Sequence, residues 1–281
     1  MTRNAHLACL AVAGALVLGL SAPAEAGRGG SFAKIRAAAQ HGNPDAIVAE
    51  LERAERIPCS SECMTFVMGL LEHESHYVRD GAAWWFARRP AQKVEVAERA
   101  LSLLVTGNTF QVQSAADTLA RVGHPRMIPE LAAALTREGI GEDGRAAVAR
   151  AIGELGHRSG NAALTAAMSD PSPLVRRAAV EAWSHILRQQ GAAPVAALVA
   201  DPDLTVRRAA AGVAGRFREA SARAALEQLL ASDPDPAARR NAAWALGRIG
   251  DSASRDVLDR AVDDESPLVR MTARAALRQL R

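Results

Sequence analysis

From residue 79 onward, apolar residues recur at offsets that belong to a helix. With Arg79, Val112, Arg145, Arg176, Arg207, Arg239 and Arg270 as anchors, the third position after each is Ala82, Ala115, Val148, Ala179, Ala210, Ala242 or Ala273. The seventh is Phe86, Leu119, Ile152, Trp183, Ala214, Leu246 or Leu277. Positions three, seven and ten share one face of an α-helix, so each anchor opens a helix with a buried stripe. Successive anchors are 31 to 33 residues apart. That interval leaves room for a second apolar helix, such as Ile128 to Leu135, Ala192 to Val199, Ala222 to Leu230 and Val257 to Val262. Gly123, Gly156 and Gly250 punctuate the helices, where left-handed stops are expected. The β-branched residues sit at helical spacing, so no strand is predicted. One such hairpin cannot bury its own stripe, whereas stacked hairpins can. The expected fold is all-α: a right-handed α–α superhelix of about seven helical hairpins over 59–281.

The N-terminal segments read differently. Arg3, the apolar run Leu7 to Leu20 and Ala24-Glu25-Ala26 before Gly27 have the layout of a secretory signal peptide over 1–26. An uncleaved anchor is the alternative. Gly27 to Gly30 reads as a flexible leader. Phe32 to Gln40 and Asp45 to Arg56 read as two helices, the second opened by Asn43-Pro44. This pair, within 27–58, would cap the first apolar face of the stack. Arg278, Gln279 and Arg281 make the other end polar. The chain is expected in the periplasm or secreted, as a monomer with no membrane span after processing.

Charge and cysteine content add little by bulk and more by position. The net charge is +3, and losing Arg3 with Glu25 leaves it unchanged. So small an excess gives no reason to expect nucleic acid. After cleavage Cys59 and Cys63 remain. In an oxidising compartment they would form a disulfide, with Cys59 just before a helix that holds Cys63; free thiols are the alternative. Their spacing suits neither a zinc site nor a redox C-x-x-C.

In the last four units an Asp precedes the anchor Arg by six residues: Asp170/Arg176, Asp201/Arg207, Asp233/Arg239 and Asp264/Arg270. The pattern D-P-x-x-x-V-R-x-x-A-A-x-A-L-G-x-I-G resembles HEAT repeats, in particular the short bacterial type related to phycobilisome lyase repeats. The resemblance covers about residues 60–281. It implies that these Asp and Arg residues form a ladder between neighbouring repeats. Because His73, Thr106 and Gly139 stand at the Asp position and Val112 replaces one Arg, the ladder is expected to break in the N-terminal half. It also implies that the anchor helices line a concave side.

On that side fall the candidate partner-binding residues Trp84, Arg88, Arg121, Arg150, Arg177, Arg208, Arg216, Arg240, Trp244 and Arg248. They form either a basic strip that captures an acidic partner or a solvated face neutralised by Asp80, Asp117, Glu154 and Glu181. Trp84 and Trp244 lie between buried and exposed faces, whereas Trp85 and Trp183 lie nearer the buried stripe. Glu72 to His76 suggests a metal site only superficially. The iron hydroxylases built on HEAT repeats use several His-Glu pairs, and here there is one, in a turn. No nucleophile-and-base set, phosphate loop or dinucleotide fingerprint is present. The expected function is therefore a non-catalytic scaffold or adaptor without a cofactor, binding a protein or peptide on the concave face. Anionic-polymer binding through the Arg strip, or a lyase-like role with a tetrapyrrole, are the alternatives.

Overall fold

A computed structural model describes residues 30–189 and 191–280. The signal-peptide reading and most of the Gly-rich leader lie outside these residues, as does Arg281. Among the described residues there are sixteen α-helices and no strand. They pair in chain order into eight hairpins. The first helices of the pairs are α1 (Phe32–Gln40), α3 (Ser61–Leu70), α5 (Pro90–Thr106), α7 (Ile128–Leu135), α9 (Asn161–Ala167), α11 (Ala193–Ala196), α13 (Arg223–Ser232) and α15 (Arg255–Ala261). The second helices are α2 (Pro44–Arg53), α4 (His76–Ala87), α6 (Thr109–Val122), α8 (Glu142–Leu155), α10 (Pro173–Trp183), α12 (Leu204–Phe217), α14 (Pro236–Ile249) and α16 (Pro267–Leu277). All seven anchors fall on second helices, from α4 to α16. The second predicted helix of the N-terminal pair ends at Arg53 rather than Arg56.

The chemistry of the turns sets the helix starts. Asn43, Ser60, Asn108, Asp203 and Asp235 accept hydrogen bonds from backbone N–H groups of the turn that follows. Pro44, Pro90, Pro173, Pro236 and Pro267 fall in first turns, where a missing N–H costs nothing. Two helix stops follow the expectation: Gly156 and Gly250 have φ of 66° and 77°. Gly123 does not. Its φ is −68°, because the chain leaves α6 extended towards the His124-Pro125 turn. At the matching position after α12 stands Arg218, left-handed with φ of 52°. A side chain in that conformation is strained, so Arg218→Gly should raise stability by up to about 1 kcal/mol. Urea unfolding checks this, and a loss of stability would contradict it.

Packing explains the curvature. Consecutive second helices from α2 to α16 pack against one another along the stack, whereas consecutive first helices touch sparsely. The more closely spaced layer lies on the inside of the bend, so the second helices line the concave side. The stripe is the core: Ala82, Ala115, Val148, Ala179, Ala210, Ala242 and Ala273 are all buried, as are Phe86, Leu119, Ile152 and Leu246. Small residues let neighbouring inner helices approach. A Cβ added at Gly153 would lie 2.7 Å from Ala182 Cα, and at Gly215 2.8 Å from Ala245 Cα. Trp85 and Trp183 are buried. Cys59 lies in the extended approach to α3 and is bonded to Cys63 in its first turn, with Cα atoms 5.4 Å apart.

Candidate functional site: the inner face and its ladder

Every anchor Arg except the last spans two repeats. Arg176 donates through Nη1 to the backbone carbonyls of Asp170 and Pro171 in its own turn, both at 3.0 Å. Through Nε and Nη2 it donates to the carboxylate of Asp201 in the next turn, both at 2.7 Å. Arg207 repeats this with Asp201 O, Pro202 O and Asp233. Arg239 does so with Asp233 O, Pro234 O and Asp264. Each Asp also accepts from the backbone N–H two residues on, at Ser172, Asp203, Asp235 and Ser266. The ladder therefore joins each Arg to the Asp of the following repeat. Within its own repeat the Arg meets only the turn's carbonyl oxygens. This corrects the pairing by six-residue spacing: Arg176 holds the Asp170 turn by its backbone, and the Asp170 carboxylate belongs to Arg145, at 2.8 and 3.0 Å. Arg270 makes the carbonyl half only, to Asp264 O and Glu265 O.

The N-terminal half keeps part of the ladder by other means. Arg79, 2% exposed, donates to His73 O and Glu74 O, and its carboxylate partner is Asp117 on α6. His76 joins the same carboxylate at 3.0 Å, which raises the imidazole pKa. Where Val112 lacks a guanidinium, Arg137 from the next repeat donates to the carbonyls of Val105 and Gly107. The Glu72 to His76 segment serves this framework, with Glu72 bonded by Arg99 at 2.6 Å. Among the described residues no group of three or more His, Cys, Asp or Glu is placed to hold a metal.

Half of the predicted strip is paired with carboxylates. Arg88 donates to Glu55 at 2.8 Å and lies over Trp84, 4.8 Å from the ring centroid. Arg121 is bidentate to Asp80, at 2.5 and 3.0 Å. Arg177 is 3.8 Å from Glu181. Arg208 reaches forward to Asp235 with Nε at 2.6 Å and Nη2 beside it. The others are freer. Arg216 makes one long bond to Ser184 O at 3.5 Å. Arg240 touches only its neighbour Asn241. Arg150 is exposed, and Arg248 Nε is shielded without a partner among the described residues. Trp84 is half-buried and Trp244 is 41% exposed. Each Trp borders a depression on the inner face. One, of about 740 Å³, is lined by Glu55, Arg56, Trp84, Ala87, Arg88 and Arg121. The other, of about 350 Å³, lies between α12 and α14.

Sequence reasoning missed two features of this face. The Asp235 partner of Arg208 was legible only as a second Asp two residues after the motif Asp. The open position at Gly212 was legible as the one Gly at the fifth offset, where other units carry Trp84, Asp117, Arg150, Glu181, Trp244 or Ala275.

Two ladder carboxylates, Asp170 and Asp264, have lowered pKa values, and so has Asp235 beside the ladder. Arg208 beside Asp235 lowers its pKa from 3.8 to about 2, against an opposing effect of burial. Asp264 is likewise lowered, chiefly by Arg239. A carboxyl whose folded pKa lies below its unfolded value contributes stability above the unfolded value and loses it as pH falls through the folded one. Melting temperature should therefore fall as pH drops from about 4 towards 2. A flat profile across that window would refute the ladder's electrostatic role.

The chain matches the model of HEAT repeats over residues 142–196 and 192–278. No curated protein matches it in sequence. Among solved structures it is similar to the Escherichia coli protein YibA at 14% identity, over 88% of this chain and 92% of that one, with a TM-score of 0.58. It is also similar to Kap95p, solved with RanGDP, at 14% identity over 88% of this chain and 40% of that one, with a TM-score of 0.57. At these identities the likeness is one of fold. Residues 142–278 carry HEAT repeats, and the preceding units stack on them in the same register.

Proposed function

We propose that the chain is an exported, non-catalytic scaffold whose concave inner face binds a protein or peptide. The observation that carries this reading is the pair of inner-face depressions, each bordered by an accessible Trp beside Arg. Aromatic and Arg side chains of this kind supply most of the energy at protein interfaces. A solenoid of the same fold, Kap95p, binds RanGDP. Export rests on the pattern of residues 1–26 and on the Cys59–Cys63 bond, which suits an oxidising compartment. Among the described residues no helix is long and apolar enough to cross a membrane. Anionic-polymer binding is the weaker reading, because Arg88, Arg121 and Arg208 each already bond a carboxylate.

The test is site-specific photo-crosslinking in cell-envelope extract. A photoreactive residue replacing Arg150, exposed on inner helix α8, should give a discrete protein adduct. The same residue replacing Glu98, exposed on outer helix α5, should not. Adducts from Glu98 alone, or equal adducts from both, would refute the reading.

A further inference from the structure

Three of the four strip cations without carboxylate partners lie on α12 and α14, the helices on either side of one notch. Helix α12 carries Arg208, Gly212 and Arg216, and α14 carries Arg240, Trp244 and Arg248, each set spaced by four residues and so on one helical face. The two rows are neighbours, because α12 packs on α14. Gly215 brings them together. A Cβ there would lie 2.5 Å from Trp244 Cζ3, so the indole rests on bare backbone. A Cβ at Gly212 would meet nothing within 4 Å. The result is a notch of about 350 Å³ lined by Arg208, Gly212, Arg216, Asn241 and Trp244. It has an aromatic wall, an opening the size of one side chain, and Arg residues at its corners. Arg208 is neutralised by Asp235, while no carboxylate bonds Arg216, Arg240 or Arg248 among the described residues.

Resting on the inner-face reading, we infer that this notch is the site of an acidic peptide that seats one apolar side chain beside Trp244 between two flanking carboxylates. Charge complementarity selects the occupant, since Arg216 in the lining and Arg240 and Arg248, one helical turn to either side of Trp244, have no carboxylate partners among the described residues. The spacing follows from geometry. Four residues of helix separate Trp244 from Arg240 and from Arg248, about 6 Å each way. Two residues of extended peptide span about the same distance. The matching sequence is acid, any residue, apolar residue, any residue, acid. A nucleic acid or acidic polysaccharide fits less well. Its regular charges would run beyond the notch towards Glu181 on the neighbouring inner helix α10.

The test uses calorimetry with the mature chain. The probe is a blocked peptide Glu-Glu-Gly-Leu-Gly-Glu-Glu, with versions carrying Gly for Leu or Lys for Glu, and a thymidine oligonucleotide of equal charge. The acidic Leu peptide should bind, and raising salt should weaken it. Gly212→Leu places a side chain in the opening, where its Cβ meets nothing within 4 Å, and should weaken binding at least tenfold without lowering the melting temperature. Trp244→Ala and the double change Arg216→Gln with Arg248→Gln should likewise weaken binding. Undiminished binding to Gly212→Leu and Trp244→Ala would overturn the assignment. So would equal binding of the Lys peptide, or tighter binding of the oligonucleotide. Inner-face crosslinks from position 150 with no peptide binding at the notch would overturn this inference while leaving the broader reading standing. Absence of both would remove both.

Discussion

Replacing Arg239 by Ala should cost about 3–5 kcal/mol, while replacing its neighbour Arg240 by Ala should change stability by less than about 0.5 kcal/mol. The two residues are adjacent in one motif, and their surroundings separate them. Arg239 is 7% exposed and donates to Asp233 O, Pro234 O, Asp264 and Glu265. Its removal leaves a shielded carboxylate at Asp264 without its cation and two turn carbonyls without their donor. The loss of the partner, rather than the worth of the pair, makes the change expensive. Arg240 is exposed and bonds only Asn241. Urea unfolding of both variants at neutral pH is the measurement. Equal effects would mean that the first Arg has no special structural role. Because the stack is held by nearest neighbours, the Arg239→Ala loss should fall on the last two hairpins before the rest.

Gly153→Val should destabilise by about 1–3 kcal/mol. Its Cβ would lie 2.7 Å from both Cα and Cβ of Ala182 and 3.1 Å from that residue's carbonyl oxygen. No flexible side chain can move aside there, so α8 and α10 must separate in the middle of the stack. Gly212 is the opposite case on a similar helix. A Cβ meets nothing, and Gly212→Ala should gain about 0.5–1 kcal/mol by removing backbone freedom from the unfolded chain. Thermal unfolding distinguishes them by sign. A Gly153→Val protein as stable as the parent would show that the inner helices are not in close contact at this point.

The stack was legible because its cause is local and repeated. Ala and bulky apolar residues at offsets three and seven, with Asp, Pro and Gly at the turns, set helix, turn and face in every unit. The ladder was legible in its members but not in its pairing. Asp170 and Arg176 sit six apart in sequence, yet the guanidinium faces the next turn, and only the stacking of repeats puts Asp201 beside it. For the same reason the N-terminal substitutes could not be read. Asp117 stands in for a turn Asp from within a helix, and Arg137 supplies a missing donor from another repeat. The residues of the Arg strip were legible as positions on the second helices, but its neutralisation depends on carboxylates from neighbouring hairpins, such as Glu55, Asp80 and Asp235. The notch was hidden because its signal is a missing side chain at Gly212.

These observations divide the repeating motif between two tasks. The Asp and first Arg bind one repeat to the next, and the positions around the second Arg and the fifth offset remain for a partner. A double-mutant cycle across Arg207 and Asp233, at an interior rung, tests that division most directly. The two groups are bonded at 2.6 Å between consecutive repeats. Unfolding free energies of Arg207→Ala, Asp233→Ala and the double variant should give a coupling of at least about 1 kcal/mol. A coupling near zero would contradict the account, since the rung would then be decoration on a stack held by packing alone.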